Sequence, residues 1–247
     1  LCYLVCYFGC TERVKIEPPE KTPGQSSNFV KNIVTNRALL SLICPNICLL
    51  LSQLTMSQMA NYVYPNYYGN TQVQVMATLA GSVATFLIAP FATPLATRYG
   101  KKEIGVVSCG FAALAYTVCL IVRPSSAWGY MAFTVLAMIG MGFFNMLCWA
   151  YIVDVIDYAE VKNGVREDGT TYSCYSFARK LSQAASSGLV GALLTFAGYT
   201  EAKAFDPAVT SRIFVIACVI PAIGFALVAL IFVFWYPLNK KEVERNS

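Results

Sequence analysis

The sequence predicts an all-α, polytopic membrane protein built as a six-helix bundle, and three observations carry that expectation. Of 247 residues, 57% are apolar and only 13% charged, with a mean hydropathy of +0.55, whereas a soluble domain carries about 25% charged residues. Six apolar runs, approximately 38–68, 73–97, 104–122, 128–153, 170–198 and 210–236, each reach or approach the length that crosses a bilayer as a helix, about 20 residues. Lys and Arg gather in alternate connections, the asymmetry that sets orientation across a membrane.

The opening stretch LCYLVCYFGC, residues 1–10, reads as the end of a preceding transmembrane helix, so the chain is expected to be the C-terminal part of a longer protein. It has neither the basic start nor the small-residue cleavage site of a signal peptide. Cys2, Cys6 and Cys10 share one helix face, but a zinc site needs a fourth ligand, usually from Cys or His, and the chain has no histidine. Cys44, Cys48, Cys109, Cys119, Cys148 and Cys218 lie inside apolar spans, where a thiol behaves as a small hydrophobe. No metal centre, disulfide framework or organic cofactor is expected.

Residues 11–37, with Pro18, Pro19, Pro23 and Gly24 among mixed charges, form a solvent-exposed linker. In the first full span Asn46, Gln53, Ser57 and Asn61 keep near one helix face. Such a stripe either ties neighbouring helices together or lines a cavity. Pro45, Pro90 and Pro94 are potential kinks whose freed carbonyls neighbouring helices can satisfy. Between the second and third spans RYGKKE, Arg98 to Glu103, is a short basic turn. Most of the 18 Lys and Arg residues fall in the linker, this turn, the loop with Lys162 and Arg166, and the tail 237–247. Those segments are therefore expected to be cytoplasmic, and the bundle itself to occupy 38–236. Tyr62, Tyr64, Tyr67 and Tyr68 at one end, and Trp235 and Tyr236 at the other, suit the two interfacial belts.

Charge is concentrated between Asp154 and Lys180. Asp154, Asp157 and Glu160 follow one another at the end of a span, where carboxylates oppose the helix dipole and call for cationic partners such as Lys162 or Arg166. They form an ion-pair latch, a cation site or a solvated cluster. On the next helix Ser176, Lys180, Gln183 and Ser187 make one polar stripe, flanked by Tyr172 and Arg179. Counted from Thr170, Lys180 lies about 15 Å along the helix, close to the bilayer midplane. A cation at that depth either snorkels over half the membrane or serves a function.

The segment YIVDVIDYAEVKNGVREDGTTYSCYSFARKLSQA resembles the tenth-to-eleventh helix region of the glycoside-pentoside-hexuronide:cation symporters of the major facilitator superfamily, and the resemblance extends over the whole chain as their C-terminal six-helix half. The resemblance implies one half of a major-facilitator fold, working with an N-terminal six-helix half that holds most of the coupling cation, Na+ or H+. It implies cation-coupled movement of a sugar across the plasma membrane. Asp154, Asp157 and Arg166, with Tyr158 and Glu160 beside them, are then the cytoplasmic gate. Lys180 matches the family's eleventh-helix lysine at the sugar and cation site, with Tyr175, Ser176 and Arg179 next to it. Asn145 stands where the family's best-known member has a tenth-helix tryptophan, with Trp149 one turn later, and both are assigned to the site. The expected partners are a sugar, a cation, lipid and the other half, with no nucleic acid. Related lysolipid symporters and a non-transporting sensor or subunit are the alternatives. An enzyme is not expected, because the chain has neither histidine nor a G-x-S-x-G elbow.

Overall fold

The computed structural model describes residues 7–9, 37–163 and 168–235. The chain divides into two units, Leu1–Thr35 and Asn36–Ser247. In the first, residues 7–9 are helical and the Tyr7 and Phe8 rings meet edge to face with centroids 5.3 Å apart. The expectations for Cys2, Cys6, Cys10, the linker, Arg166, Tyr236 and the tail lie outside the described residues.

The second unit consists of six long helices. They are α1 (Arg37–Tyr62), continued by a π-helical turn Val63–Tyr67, α2 (Thr71–Tyr99), α3 (Lys101–Val122), α4 (Ala127–Asn163), α5 (Asp168–Ala197) and α6 (Pro207–Phe234). All but α5 contribute a segment long and apolar enough to cross a membrane. The 30 residues of α5 have the length, but Arg179, Lys180, Gln183 and the serines dilute their apolarity. Among the described residues there is no strand. A helix stands at each of the six expected spans, and the protein is a multi-pass membrane bundle.

Two connections are tighter than the sequence predicts. RYGKKE is not a loop, because α2 runs to Tyr99, α3 begins at Lys101, and Gly100 is the single residue between them. Its φ of 99° and ψ of 142° belong to a region open almost only to glycine. The Gly100 N–H donates to the Ala96 carbonyl at 3.0 Å, closing α2. The second difference is that α4 continues ten residues past the expected end at 153, so Asp154, Asp157 and Glu160 lie on the helix rather than at its mouth. Helices also run uninterrupted through Pro45, Pro90, Pro94 and Pro221. The other starts follow capping rules: the Asn70 Oδ1 accepts from the Val73 N–H at 3.3 Å, and the Asp206 Oδ1 from the Ala208 N–H at 2.9 Å.

In the bundle α3 packs on α6 and α4, α1 on α6 and α5, and α4 on α2 as well. Small residues set the closest approaches. A Cβ on Gly140 of α4 would lie 2.5 Å from the Ser108 carbonyl oxygen of α3, and one on Gly224 of α6 would strike the Ser52 hydroxyl of α1. Such close approach of backbones drives helix association where lipid offers no hydrophobic gain. Phe144, Tyr151 and Phe232 fill the centre of one end, with ring centroids 5.0 to 5.5 Å apart. At the other end the Tyr68 hydroxyl donates to the Pro124 carbonyl at 2.8 Å. Helices α2 and α5 flank this core, and α2 leaves Val83, Phe86, Leu87 and Phe91 exposed. Lipid tails or another protein surface meet these side chains without the penalty that water would impose.

Candidate functional site

The candidate site is a polar hollow about halfway along the bundle. Asn145, the central residue of the 37-residue α4, faces α1 there, and its side-chain N–H2 donates to the Gln53 Oε1 at 3.3 Å. Arg179 comes from α5 about eleven residues, or roughly 16 Å, along that helix. A cavity of about 330 Å³ is lined by Asn46, Gln53, Asn145, Trp149, Arg179 and Gln183, with Cys148 and Tyr175 in its floor. A neighbouring hollow of about 450 Å³ shares Gln53, Asn145 and Trp149 as a common wall and continues to α2. Each is within the size range of small-molecule sites, though more polar than most.

The floor is a buried hydrogen-bond cluster. The Tyr175 hydroxyl donates to the Asn46 Oδ1 at 3.1 Å and lies 2.7 Å from the Cys148 sulfur. Asn46 is only 2% exposed, yet among the described residues its Nδ2 has no hydrogen-bond partner. A buried amide left this way costs about 1 to 3 kcal/mol, which a folded protein tolerates where something else is to be bound. The wall is aromatic. Trp149, half-exposed, stacks on Tyr172 at 5.9 Å with planes 22° apart, and its ring is 6.1 Å from that of Tyr175. Such a flat face suits the apolar side of a ring-shaped ligand while the amides address its hydroxyls.

Of the residues assigned from sequence, Tyr175, Arg179, Asn145 and Trp149 come together here. Lys180 and Ser176 do not line either hollow. The reason is the packing of α5, whose Thr171, Tyr175, Ala178, Ser182, Ser186 and Val190 are buried on the α1 side. At about 100° per residue Lys180 stands nearly opposite Ala178, and it is exposed, whereas Arg179 turns to the edge and into the cavity. In the first-span stripe Asn46 and Gln53 reach the site, whereas Ser57 and Asn61 are exposed.

Sequence reasoning missed one side of the hollow. Thr78, Ser82 and Thr85 of α2 line it, each donating its hydroxyl hydrogen to a carbonyl one turn back at 2.9 to 3.1 Å. Their lone pairs stay available as acceptors. The signal was present as Gln74, Thr78, Ser82 and Thr85, a helical repeat inside an apolar span.

At the Gly100 end Asp154 finds its partner in Lys101 of α3. The Lys101 ammonium lies 2.7 and 2.9 Å from the two Asp154 carboxylate oxygens, and the Tyr151 hydroxyl donates to the Lys101 carbonyl at 2.8 Å. Asp154 is buried and the Lys101 side chain about one-third exposed. The pair ties α4 to the start of α3. Asp157 and Tyr158 are half-buried one turn further on, and Glu160 belongs to the same helix. Among the described residues no group of His, Cys, Asp and Glu is arranged to hold a metal ion.

Residues 1–240 match the family described as MFS/sugar transport protein. The chain belongs to that family. The resemblance to sugar symporters read from the sequence is thereby borne out. The chain is 30% identical to an uncharacterized symporter of Bacillus subtilis over 97% of its own length and 52% of the relative's. It is 28% identical to a glucuronide carrier protein homolog of Escherichia coli, covering 97% of the chain and 52% of that protein. A putative sulfoquinovose importer of Escherichia coli is likewise 28% identical, over 97% of the chain and 51% of the relative. The chain spans about half the length of the relatives it matches.

Proposed function

We propose that the protein containing this chain is a secondary active transporter of the plasma membrane, coupling entry of a glycoside, pentoside or hexuronide to that of Na+ or H+. The observation that carries the proposal is the polar hollow halfway along an otherwise apolar bundle, lined from α1, α2, α4 and α5. In a membrane-spanning bundle such a cavity has no structural purpose that Leu and Ala would not serve better, and midplane cavities between helix repeats are where carriers hold cargo. The relatives named for a glucuronide carrier and a sulfoquinovose importer support a sugar as that cargo.

In the proposed cycle the chain forms one wall of the site and a second bundle the other, and the two rock about the bound sugar. The Gly100 end, with its Lys101–Asp154 pair, faces the cytoplasm by the distribution of positive charge. Lys180, exposed on the face of α5 away from α1, is positioned to meet that second bundle and to serve the coupling site from there. The test is uptake of radiolabelled sugars into vesicles bearing the full-length protein, with and without an imposed Na+ or proton gradient. Gradient-driven accumulation that Lys180→Met abolishes is expected. Accumulation without any gradient, or coupling retained in Lys180→Met, would remove the symport reading or the role of Lys180 respectively.

A further inference from the structure

We infer that the cargo is an anionic sugar and that Arg179 is the residue that selects its charge. This rests on the sugar-transport reading above and narrows it. A guanidinium about 16 Å into a membrane helix is expensive unless a negative group meets it. Among the described residues no carboxylate forms an ion pair with Arg179, and every other polar group of the 330 Å³ cavity is a neutral amide, hydroxyl or thiol. The described residues therefore bring a permanent positive charge to a polar pocket without supplying its counter-ion.

The remaining groups are disposed to hold the rest of a sugar. The unpartnered Nδ2 of the buried Asn46 is a spare donor in the same cavity. Gln53, Asn145 and Gln183 offer both donors and acceptors, and the stacked Trp149 and Tyr172 provide a flat apolar face. A guanidinium presents a planar fork that matches a carboxylate or sulfonate through two parallel N–H···O bonds, which an ammonium cannot reproduce. A carboxylate or sulfonate on a pyranose thus finds each of its parts addressed: charge to Arg179, hydroxyls to the amides, the apolar ring face to Trp149. Lys180, about 100° round α5 from Arg179 and outside both hollows, takes no part in this recognition.

The experiment uses the full-length protein purified in detergent and two matched sugar pairs that differ only at C6, methyl β-D-glucuronide against methyl β-D-glucoside and the corresponding galacturonide against galactoside. Binding is measured by calorimetry and exchange by counterflow in proteoliposomes. The wild type is expected to bind the acid of at least one pair about 10-fold or more tighter than its neutral partner, the range for a charge-assisted bond. Arg179→Gln brings that ratio close to one, and Arg179→Lys keeps the sign of the preference but loses several-fold of it. A wild type that prefers the neutral sugars overturns the inference. So does an Arg179→Gln variant in which both affinities fall and the ratio stays, since Arg179 then serves a protein carboxylate instead. If Arg179→Gln does not fold, Arg179→Lys decides, because an unchanged ratio in it excludes the fork. Failure of this inference leaves binding and exchange of the neutral sugars in place, whereas absence of binding and exchange for all four sugars overturns the sugar reading with it.

Discussion

Replacing Lys101 by Met removes one member of the ion pair and leaves Asp154 buried without its counter-ion. Two bounds frame the cost: exposed pairs contribute about 0.2 to 1 kcal/mol, and stranding one charge of a fully buried pair costs about 3 to 5. The Asp154 side chain is 6% exposed and that of Lys101 33%, so the loss falls between them, at about 2 kcal/mol. For a unit of about 150 to 250 residues that corresponds to a drop of roughly 4 to 8 °C in melting temperature, and for a larger full-length protein to a smaller one. The reverse change is not equivalent. In Asp154→Asn the lysine still reaches water and the amide oxygen still accepts from it, so the loss stays below about 1 kcal/mol. The double variant buries no charge and recovers most of the stability lost in Lys101→Met, because the penalty lies in the stranded carboxylate. Melting of the full-length protein in detergent, followed by scanning fluorimetry, measures all three. Equal damage from Asp154→Asn and Lys101→Met, or a double variant no better than Lys101→Met, would refute the reasoning.

Three further outcomes follow from the geometry. Gly100→Ala forces a side chain into a backbone conformation of φ 99° and should destabilise by about 1 to 3 kcal/mol, read by the same melting assay. Gly140→Ala puts a methyl 2.5 Å from the Ser108 carbonyl, and separating α3 from α4 should cost about 1 to 3 kcal/mol, whereas alanine at Gly110, which has open space around it, should be tolerated. Asn46→Leu removes an amide whose Nδ2 has no acceptor among the described residues but also the Oδ1 that accepts from the buried Tyr175 hydroxyl, so stability should fall by about 1 to 3 kcal/mol while sugar binding is lost. Melting and calorimetry on one preparation separate these effects.

Element existence was legible because a hydrocarbon slab imposes length and apolarity on every crossing segment, and five of the helices announce themselves that way. Helix α5 was legible for the opposite reason, since its charges stood out against apolar flanks. Its orientation was not. Arg179 and Lys180 are neighbours in sequence but about 100° apart on the helix, and choosing between them requires knowing that α1 packs on Tyr175, Ala178 and Ser182. Periodicity favoured the stripe through Lys180, whereas the cavity contains Arg179. The Lys101–Asp154 pair joins residues 53 apart, and RYGKKE read as a turn concealed that Lys101 begins a helix. The α2 hydroxyls were passed over because threonine and serine, satisfied by their own backbone, sit comfortably in an apolar span.

Gly100 has a mechanical consequence. With one residue joining them, α2 and α3 form a tight corner like the joint of a pair of scissors, and that joint is fastened to α4 by Lys101 on Asp154 and Tyr151 on the Lys101 carbonyl. Any rotation at that joint would be amplified over the roughly 30 Å length of α3 and would change the width of the hollow between α2 and α4. Helix α5, seated chiefly on α1, joins the same linkage at the floor of the hollow, where Tyr175 meets Cys148 and Tyr172 stacks on Trp149 of α4.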